Sequence, residues 1–348
     1  MAFMLCGCLF AFEREGFKEE DLLPPLPYFV SFEEKPPQSS FLAYSASYEV
    51  TWKISPAYSL SRCAFKIYIN NTGESDIFVY GFAIKINGRE QISKYEHGKE
   101  ILRGENKSFI FSFLCPEEGN HSYKLGVYFM AGKGRKWYDH GLKYLKEEKY
   151  IEVKGFESKK EHKFYKNYFR YFDKINELVN PFDPIIKSKA NEITSKYGSS
   201  YNIAKICAIF DWVYENVEYK KEEKDEWNKP SYAIFNGGDC EEFAMLISAL
   251  ISAIGGNARI YLTDNHAFSS IYIGKNLSLL ECIDAYYSAN LTYAIFEDEF
   301  GYWLVADPLS YFYLGCLPVG SAVAGEKGNV YDFYMITSEL HAIDVLGK

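Results

Sequence analysis

The spacing of apolar and polar positions changes character several times along this chain. Residues 1–12 form a short apolar run. Residues 13–43 are acidic and proline-rich, with Leu23-Pro24-Pro25-Leu26-Pro27 and Lys35-Pro36-Pro37, and read as an extended lead-in. From Tyr44 short alternating runs take over, at 47–54, 63–69, 77–86, 108–113, 123–129 and 149–153. Asn70-Asn71-Thr72-Gly73, Asn87-Gly88, Glu118-Gly119-Asn120 and Gly132-Lys133-Gly134 supply turns. This pattern predicts an antiparallel, immunoglobulin-like β-sandwich over 44–154. Residues 155–200 carry Phe164, Tyr168, Tyr171, Phe172, Ile175 and Leu178 at helical spacing. Pro181 and Pro184 end that helix and a second follows over 185–197, so the segment reads as a helical connector.

From residue 201 the order is helix, loop, helix, then strands. Ile203, Ile206, Cys207, Phe210, Val213, Tyr214 and Val217 make one apolar face. A charged loop at 220–227 leads to Gly237-Gly238-Asp239-Cys240 and a helix that runs to Gly255-Gly256. Strands are expected at 258–262, 266–273, 291–296 and 302–306, with an inserted helix at 277–287. Residues 201–348 therefore read as a separate α+β domain.

Composition narrows the function classes. The 348 residues suffice for two domains with their own cores. A net charge of −9, with no unbroken basic block, argues against a nucleic-acid partner. No run of 18 apolar residues predicts a membrane-spanning helix. Leu5-Cys6-Gly7-Cys8 resembles a lipoprotein cleavage box with Cys8 as the lipidated residue; an apolar segment docked on a domain is the other reading. Cys63 and Cys115 fall in one expected β domain and could bridge, and N-x-[ST] sequons occur at Asn70, Asn106, Asn120, Asn276 and Asn290. An extracellular or cell-surface location is the expectation, with the cytoplasm as the alternative. Cysteine spacing offers no structural zinc site, and no cofactor is expected.

Three places carry candidate chemistry. Cys240 falls on the first turn of a helix, where free N–H groups and the macrodipole favour a thiolate. Glu241 and Glu242 share that turn and would raise the thiol pKa if they pointed at it, so a basic partner must activate it. His266, after Thr263-Asp264-Asn265, is the candidate base. Asp307, at a strand end before Pro308, would orient the imidazole. Asp284 is the competitor, set aside because 277–287 reads as a helix with Asp284 on its outer face. Trp227, Asn236 and Asp239 could line the site. A lone cysteine, histidine or aspartate is ordinarily structural; here all three occur in order.

Those residues carry a resemblance. Phe210-Asp211-Trp212-Val213, Gly237-Gly238-Asp239-Cys240-Glu241-Glu242-Phe243-Ala244, His266-Ala267-Phe268 and Tyr302-Trp303-Leu304-Val305-Ala306-Asp307-Pro308 resemble the transglutaminase-like superfamily, in an archaeal-type branch. Lys66-Ile67-Tyr68-Ile69-Asn70-Asn71-Thr72-Gly73 is similar to adhesion-type sandwich modules of microbial surface proteins. The superfamily resemblance implies a papain-like fold, with Cys240 as nucleophile, His266 as general base and acid, and Asp307 as orienting carboxylate. Phe268 stands where the family usually has Trp, and the interval from His266 to Asp307 is long. The leading expectation is hydrolysis of a peptide or amide bond in a protein or peptide substrate, through a thioester on Cys240. A cross-linking transglutaminase and a non-catalytic surface binding module are the alternatives.

Overall fold

The computed structural model describes residues 12–221 and 226–347. The lipidation reading of Cys8 lies outside the described residues. Strands in chain order are β1 (Glu33–Glu34), β2 (Tyr48–Ile54), β3 (Arg62–Asn71), β4 (Asp76–Ile86), β5 (Arg89–Ile101), β6 (Asn106–Leu114), β7 (Gly119–Lys133), β8 (Lys136–Tyr144) and β9 (Lys149–Val153). They continue with β10 (Lys163–Lys166), β11 (Ala258–Leu262), β12 (Ala267–Gly274), β13 (Ile295–Asp298), β14 (Gly301–Ala306), β15 (Ser321–Lys327), β16 (Val330–Met335) and β17 (Glu339–Asp344). The α-helices are α1 (Phe169–Leu178), α2 (Pro184–Thr194), α3 (Ile203–Asn216), α4 (Pro230–Asn236), α5 (Cys240–Ala253) and α6 (Leu280–Tyr287).

The first half pairs β1-β5-β4-β7-β8 in one sheet, with β9 also on β7, and β2-β3-β6 in another. Their facing sides share a core that includes Phe65, Ile67, Val79, Ile84, Phe111 and Val127. Strand β4 is apolar almost throughout because both of its faces are covered. A bulge at Val79/Gly81 switches the inward parity, so Ile77 and Val79 face the core before it and Phe82 and Ile84 after it. Phe78 and Tyr80 look outward, beside Met130 and Trp137. The lead-in covers them: Lys35 Nζ sits 3.9 Å from the Tyr80 ring centre and 2.9 Å from Asp139 Oδ2. Cys63 and Cys115 form a disulfide in this core.

In the second half the sheet order is β10-β17-β11-β12-β14-β13. One face packs on α3 and α5 and the other on the β15–β16 hairpin, through Tyr261, Phe268 and Val305 against Val323 and Tyr331. Covering on both sides explains why β11 and β12 are buried at every position. The connector differs from expectation. Residues 163–166 form β10, paired in parallel with β17, and α1 starts only at Phe169. Pairing with Glu339–Ala342 overrides the helical spacing of Phe164, and Asn167, at φ +52°, makes the corner.

The halves are joined. Lys66, buried at 4% side-chain exposure, pairs with Glu215 of α3 at 2.7 Å, and Lys53 donates to Tyr214 Oη at 2.9 Å. The lead-in backbone at Leu26 exchanges hydrogen bonds with Tyr201 and Ile203, both at 3.0 Å. No helix among the described residues is long and apolar enough to cross a membrane.

Candidate active site

The approach to Cys240 is set by backbone. Gly237 has φ +73°, and a Cβ there would run into the Glu218 carbonyl oxygen. That oxygen instead accepts the Gly238 N–H at 3.2 Å, while Lys220 N–H donates to Gly238 O at 2.8 Å. The chain then turns into α5 with Asp239 as N-cap. Asp239 accepts from Glu241 N–H, and Glu242 reaches back to Asp239 N–H, a capping box. Cys240 is the first residue of the helix and is half-buried.

Tethers fix this helix against the strand that follows His266. Ser269 Oγ of β12 donates to Ala244 O of α5 at 2.7 Å and lies 3.1 Å from Ser248 Oγ. His266 stands one residue before β12, in a turn closed by Thr263 N–H to His266 O at 2.8 Å and by His266 N–H to Thr263 Oγ1 at 3.0 Å. Its Nε2 is 2.8 Å from Asp307 Oδ2. Asp307 is buried at the end of β14, which is the neighbour of β12 in the sheet. Val319 N–H donates to Oδ2 at 2.9 Å and Leu309 N–H to Oδ1 at 3.1 Å. With Nε2 engaged, Nδ1 is the imidazole nitrogen left for another partner. Phe268 is buried and stacks on Tyr261 at 5.2 Å.

Cys240 and His266 line one cleft of about 470 Å³, together with Tyr171, Tyr219, Trp227, Asp239, Glu241, Asp264, Glu339 and His341. The thiol donates to Glu241 Oε2 at 3.0 Å. Burial pushes the thiol pKa well above its ordinary value, the Glu241 carboxylate adds to that, and the Ala267 N–H opposes it. Burial likewise raises Glu241, and it lifts Glu242 to about 7. The resting thiol is therefore protonated, and chemistry requires the proton to leave for a base. Asp239, Cys240 and Glu241 place ligand atoms within 4.8 Å of one another. Asp239 spends an oxygen on the helix cap and the Cys240–Glu241 pair shares a proton, so this turn is arranged for hydrogen bonding.

The structure brings together most of the residues expected from sequence. Trp227 and Asp239 line the cleft. Asn236 does not: its amide folds back to Tyr232 O at 3.1 Å, because it closes the last turn of α4. Asp284 is not on an outer face either. Its Oδ1 accepts Leu291 N–H at 2.8 Å and Tyr293 Oη–H at 2.7 Å, tying α6 to the segment before β13, while His266 binds Asp307. Sequence reasoning missed His341 and Tyr171. The signal for His341 was its place in Glu339-Leu340-His341-Ala342, an alternating run that makes a strand beside β11.

Residues 187–308 match the family model of the Transglutaminase-like superfamily. The matched stretch contains Cys240 and His266 and ends one residue after Asp307. No curated protein matches the chain significantly. Similar solved structures include the putative ApaA protein from Bordetella pertussis, 16% identical over 34% of this chain and 98% of that one, with a TM-score of 0.24. A protein from Archaeoglobus fulgidus is 13% identical over 32% of this chain and 98% of that one, with a TM-score of 0.21. The CARDB domain of a Pyrococcus furiosus protein, in complex with di-metal ions, is 13% identical over 33% of this chain and 94% of that one, with a TM-score of 0.22.

Proposed function

We propose that this protein is a cysteine acyl enzyme that hydrolyses peptide or amide bonds, with Cys240 as nucleophile. The observation that carries the reading is the junction of a helix-terminal thiol and a histidine in one cleft, the histidine being held by a buried carboxylate at 2.8 Å. The superfamily matched by residues 187–308 generally includes cysteine enzymes, which supports it.

His266 Nδ1 takes the Sγ proton, and Asp307 stabilises the imidazolium through Nε2–H. The thiolate attacks the carbonyl carbon. The cap engages the N–H groups of Asp239 and Glu241, and the N–H of Cys240 serves as a donor to the oxyanion. His266 returns the proton to the departing amine, which leaves a thioester on Sγ. Water, deprotonated by His266, then attacks the thioester, releasing the carboxylate and the thiol.

The Cys63–Cys115 disulfide supports an oxidising setting at or outside the cell surface. The decisive experiment incubates the full chain with a fluorogenic peptide-amide library and follows turnover and acyl adducts by mass spectrometry. Hydrolysis with an adduct on Cys240, both lost in Cys240→Ala, is expected. Turnover that survives Cys240→Ala overturns the reading. Amine transfer without hydrolysis would make it a cross-linking enzyme instead.

A further inference from the structure

The thiol of Cys240 is held by a carboxylate, and the cleft around it collects negative charge. Asp239, Glu241, Asp264 and Glu339 line it against Lys221. Three of the four are already engaged: Asp239 caps α5, Asp264 accepts from Ser338 N and Ser338 Oγ at 2.8 and 2.7 Å, and Glu339 pairs with Lys163 at 3.7 Å. The Cys240 thiol donates to Glu241 Oε2, and the neighbouring Asp239 carboxyl is the other side chain against Glu241.

The far wall is aromatic. Tyr171 stacks on Trp227 at 6.3 Å and meets His341 edge-on at 4.9 Å. Lys174 Nζ already stands 3.8 Å from the Trp227 ring centre, so this rim holds an ammonium on an aromatic ring. His341 is only 7% exposed and lines the cleft. Its Nε2 is 3.4 Å from Glu339 Oε2, and its Nδ1 is buried with no hydrogen-bond partner among the described residues. The ring also stacks on Tyr165 at 4.8 Å, which fixes it as part of the aromatic wall.

We propose that the cleft takes substrates carrying an ammonium or guanidinium side chain beside the scissile amide, and that Glu241 is the residue that reads this charge. The proposal rests on the acyl-enzyme reading above. The substrate cation pairs with the Glu241 carboxylate, the Sγ–H hydrogen bond to Oε2 breaks, and the thiol proton moves to His266 Nδ1. No other bond changes in that step. Without the cation, Glu241 keeps the proton on sulfur, so the same carboxylate both selects substrate and silences the resting thiol. Glu241 is thus a specificity and positioning residue.

The test uses the full chain and two charged thiol reagents, 2-aminoethyl and 2-sulfonatoethyl methanethiosulfonate. Each rate at Cys240, followed by mass spectrometry, is divided by its rate with free cysteine. The cationic reagent should be favoured at least about tenfold, which corresponds to roughly 1.4 kcal/mol. Glu241→Gln should cut that preference severalfold and speed modification by iodoacetamide, a neutral reagent. If the variant does not fold, a wild-type preference that declines between about 0.01 M and 1 M salt serves in its place. Peptide amides differing only by lysine or norleucine beside the scissile bond should show the same preference in kcat/KM. Equal normalised rates for the two reagents in wild type overturn the charge selection and leave the acyl-enzyme reading standing. A Cys240 inert to all three reagents overturns both, and turnover that persists in Cys240→Ala overturns the acyl-enzyme reading by itself.

Discussion

Replacing Asp307 by Asn separates the role of the carboxylate from its packing. The side chain is 2% exposed, so its surroundings do not relax into water. Oδ1 would keep the Leu309 N–H at 3.1 Å. The new amide NH₂ would face two groups that now donate to Oδ2, the Val319 N–H at 2.9 Å and the His266 Nε2 at 2.8 Å. Two donors facing a donor is unfavourable, and His266 escapes by moving its proton to Nδ1. That tautomer cannot accept the thiol proton. In the serine-protease triad, the same change costs about 10⁴ in kcat. The expectation here is a loss of about 10³–10⁴, or roughly 4–5.5 kcal/mol of transition-state stabilisation. Fold stability should fall by only about 1.5–3 kcal/mol, the value of a charge-assisted hydrogen bond. Peptide-amide hydrolysis and denaturant unfolding measure the two numbers on one preparation. Asp284→Asn should keep turnover within severalfold and most of its stability, because Oδ1 can still accept from Leu291 and Tyr293. A folded Asp307→Asn with near-normal kcat, or an Asp284→Asn that is inactive but folded, would refute the assignment.

Cys240 should alkylate with iodoacetamide well ahead of Cys207, Cys282 and Cys316, which are buried. Because burial and Glu241 keep its thiol protonated, the resting rate should still be climbing at pH 9, and an early plateau near neutral pH would contradict that. Asp344→Ala should destabilise the fold by about 2–4 kcal/mol in chemical denaturation: it removes one of the two carboxylates that hold the buried Arg259 guanidinium, leaving Asp298 at 2.9 Å, and it leaves two further buried donors unmatched. Asp344 Oδ1 accepts Arg259 Nε–H at 2.6 Å, and Oδ2 accepts from Asn167 at 2.9 Å and from the Phe17 N–H at 3.2 Å. Asp211 has its pKa raised to about 6, first by burial, so the folded state holds a proton that the unfolded chain releases near pH 4. Its contribution is full below about pH 4 and is lost as pH rises through about 6, so Asp211→Asn should flatten the fall in stability across that window, read from urea midpoints.

Legibility in the sequence followed burial. The strands at 63–69, 77–86 and 258–262 announced themselves because their neighbours cover them, leaving apolar runs bounded by turns. β5, with Arg89-Glu90-Gln91-Ile92-Ser93-Lys94, and β8, with Lys136-Trp137-Tyr138-Asp139, were missed. β5 has exposed residues at alternate positions and β8 has a largely half-buried face, so their composition reads as loop, and only the ladder to β4 and β7 makes them strands. β10 was lost to a helical spacing that its partner overrides. At the site, Cys240, His266 and Asp307 were visible because glycine, turn and proline residues mark their backbone positions. The bond between the thiol and Glu241 was foreseeable only as a condition, since side-chain direction in the first turn depends on what packs beside it. His341 lies in a four-residue alternation too short to stand out as a strand without its pairing to β11, and nothing in that run marks the ring as lining a cleft.

The contacts between the halves bear on the chemistry as well as on stability. Lys66 of β3 anchors Glu215, one residue before the end of α3. Glu218, three residues on, accepts the Gly238 N–H, and Lys220 donates to Gly238 O, so the exit of α3 forms one side of the turn that delivers Cys240. The opposite side of the cleft depends on β17 and α1, where His341 and Tyr171 meet, and Asp344 fixes that corner to Asn167 and Phe17. The Cys240 turn is thus bounded by an element braced by the first half of the chain, and the aromatic wall by a corner braced by the lead-in. None of residues 12–154 lines the cleft, so any effect of theirs on it must pass through these braces: Lys66→Ala, which frees Glu215, should slow modification of Cys240 in a folded chain, and an unchanged rate would show that the brace does not reach the thiol.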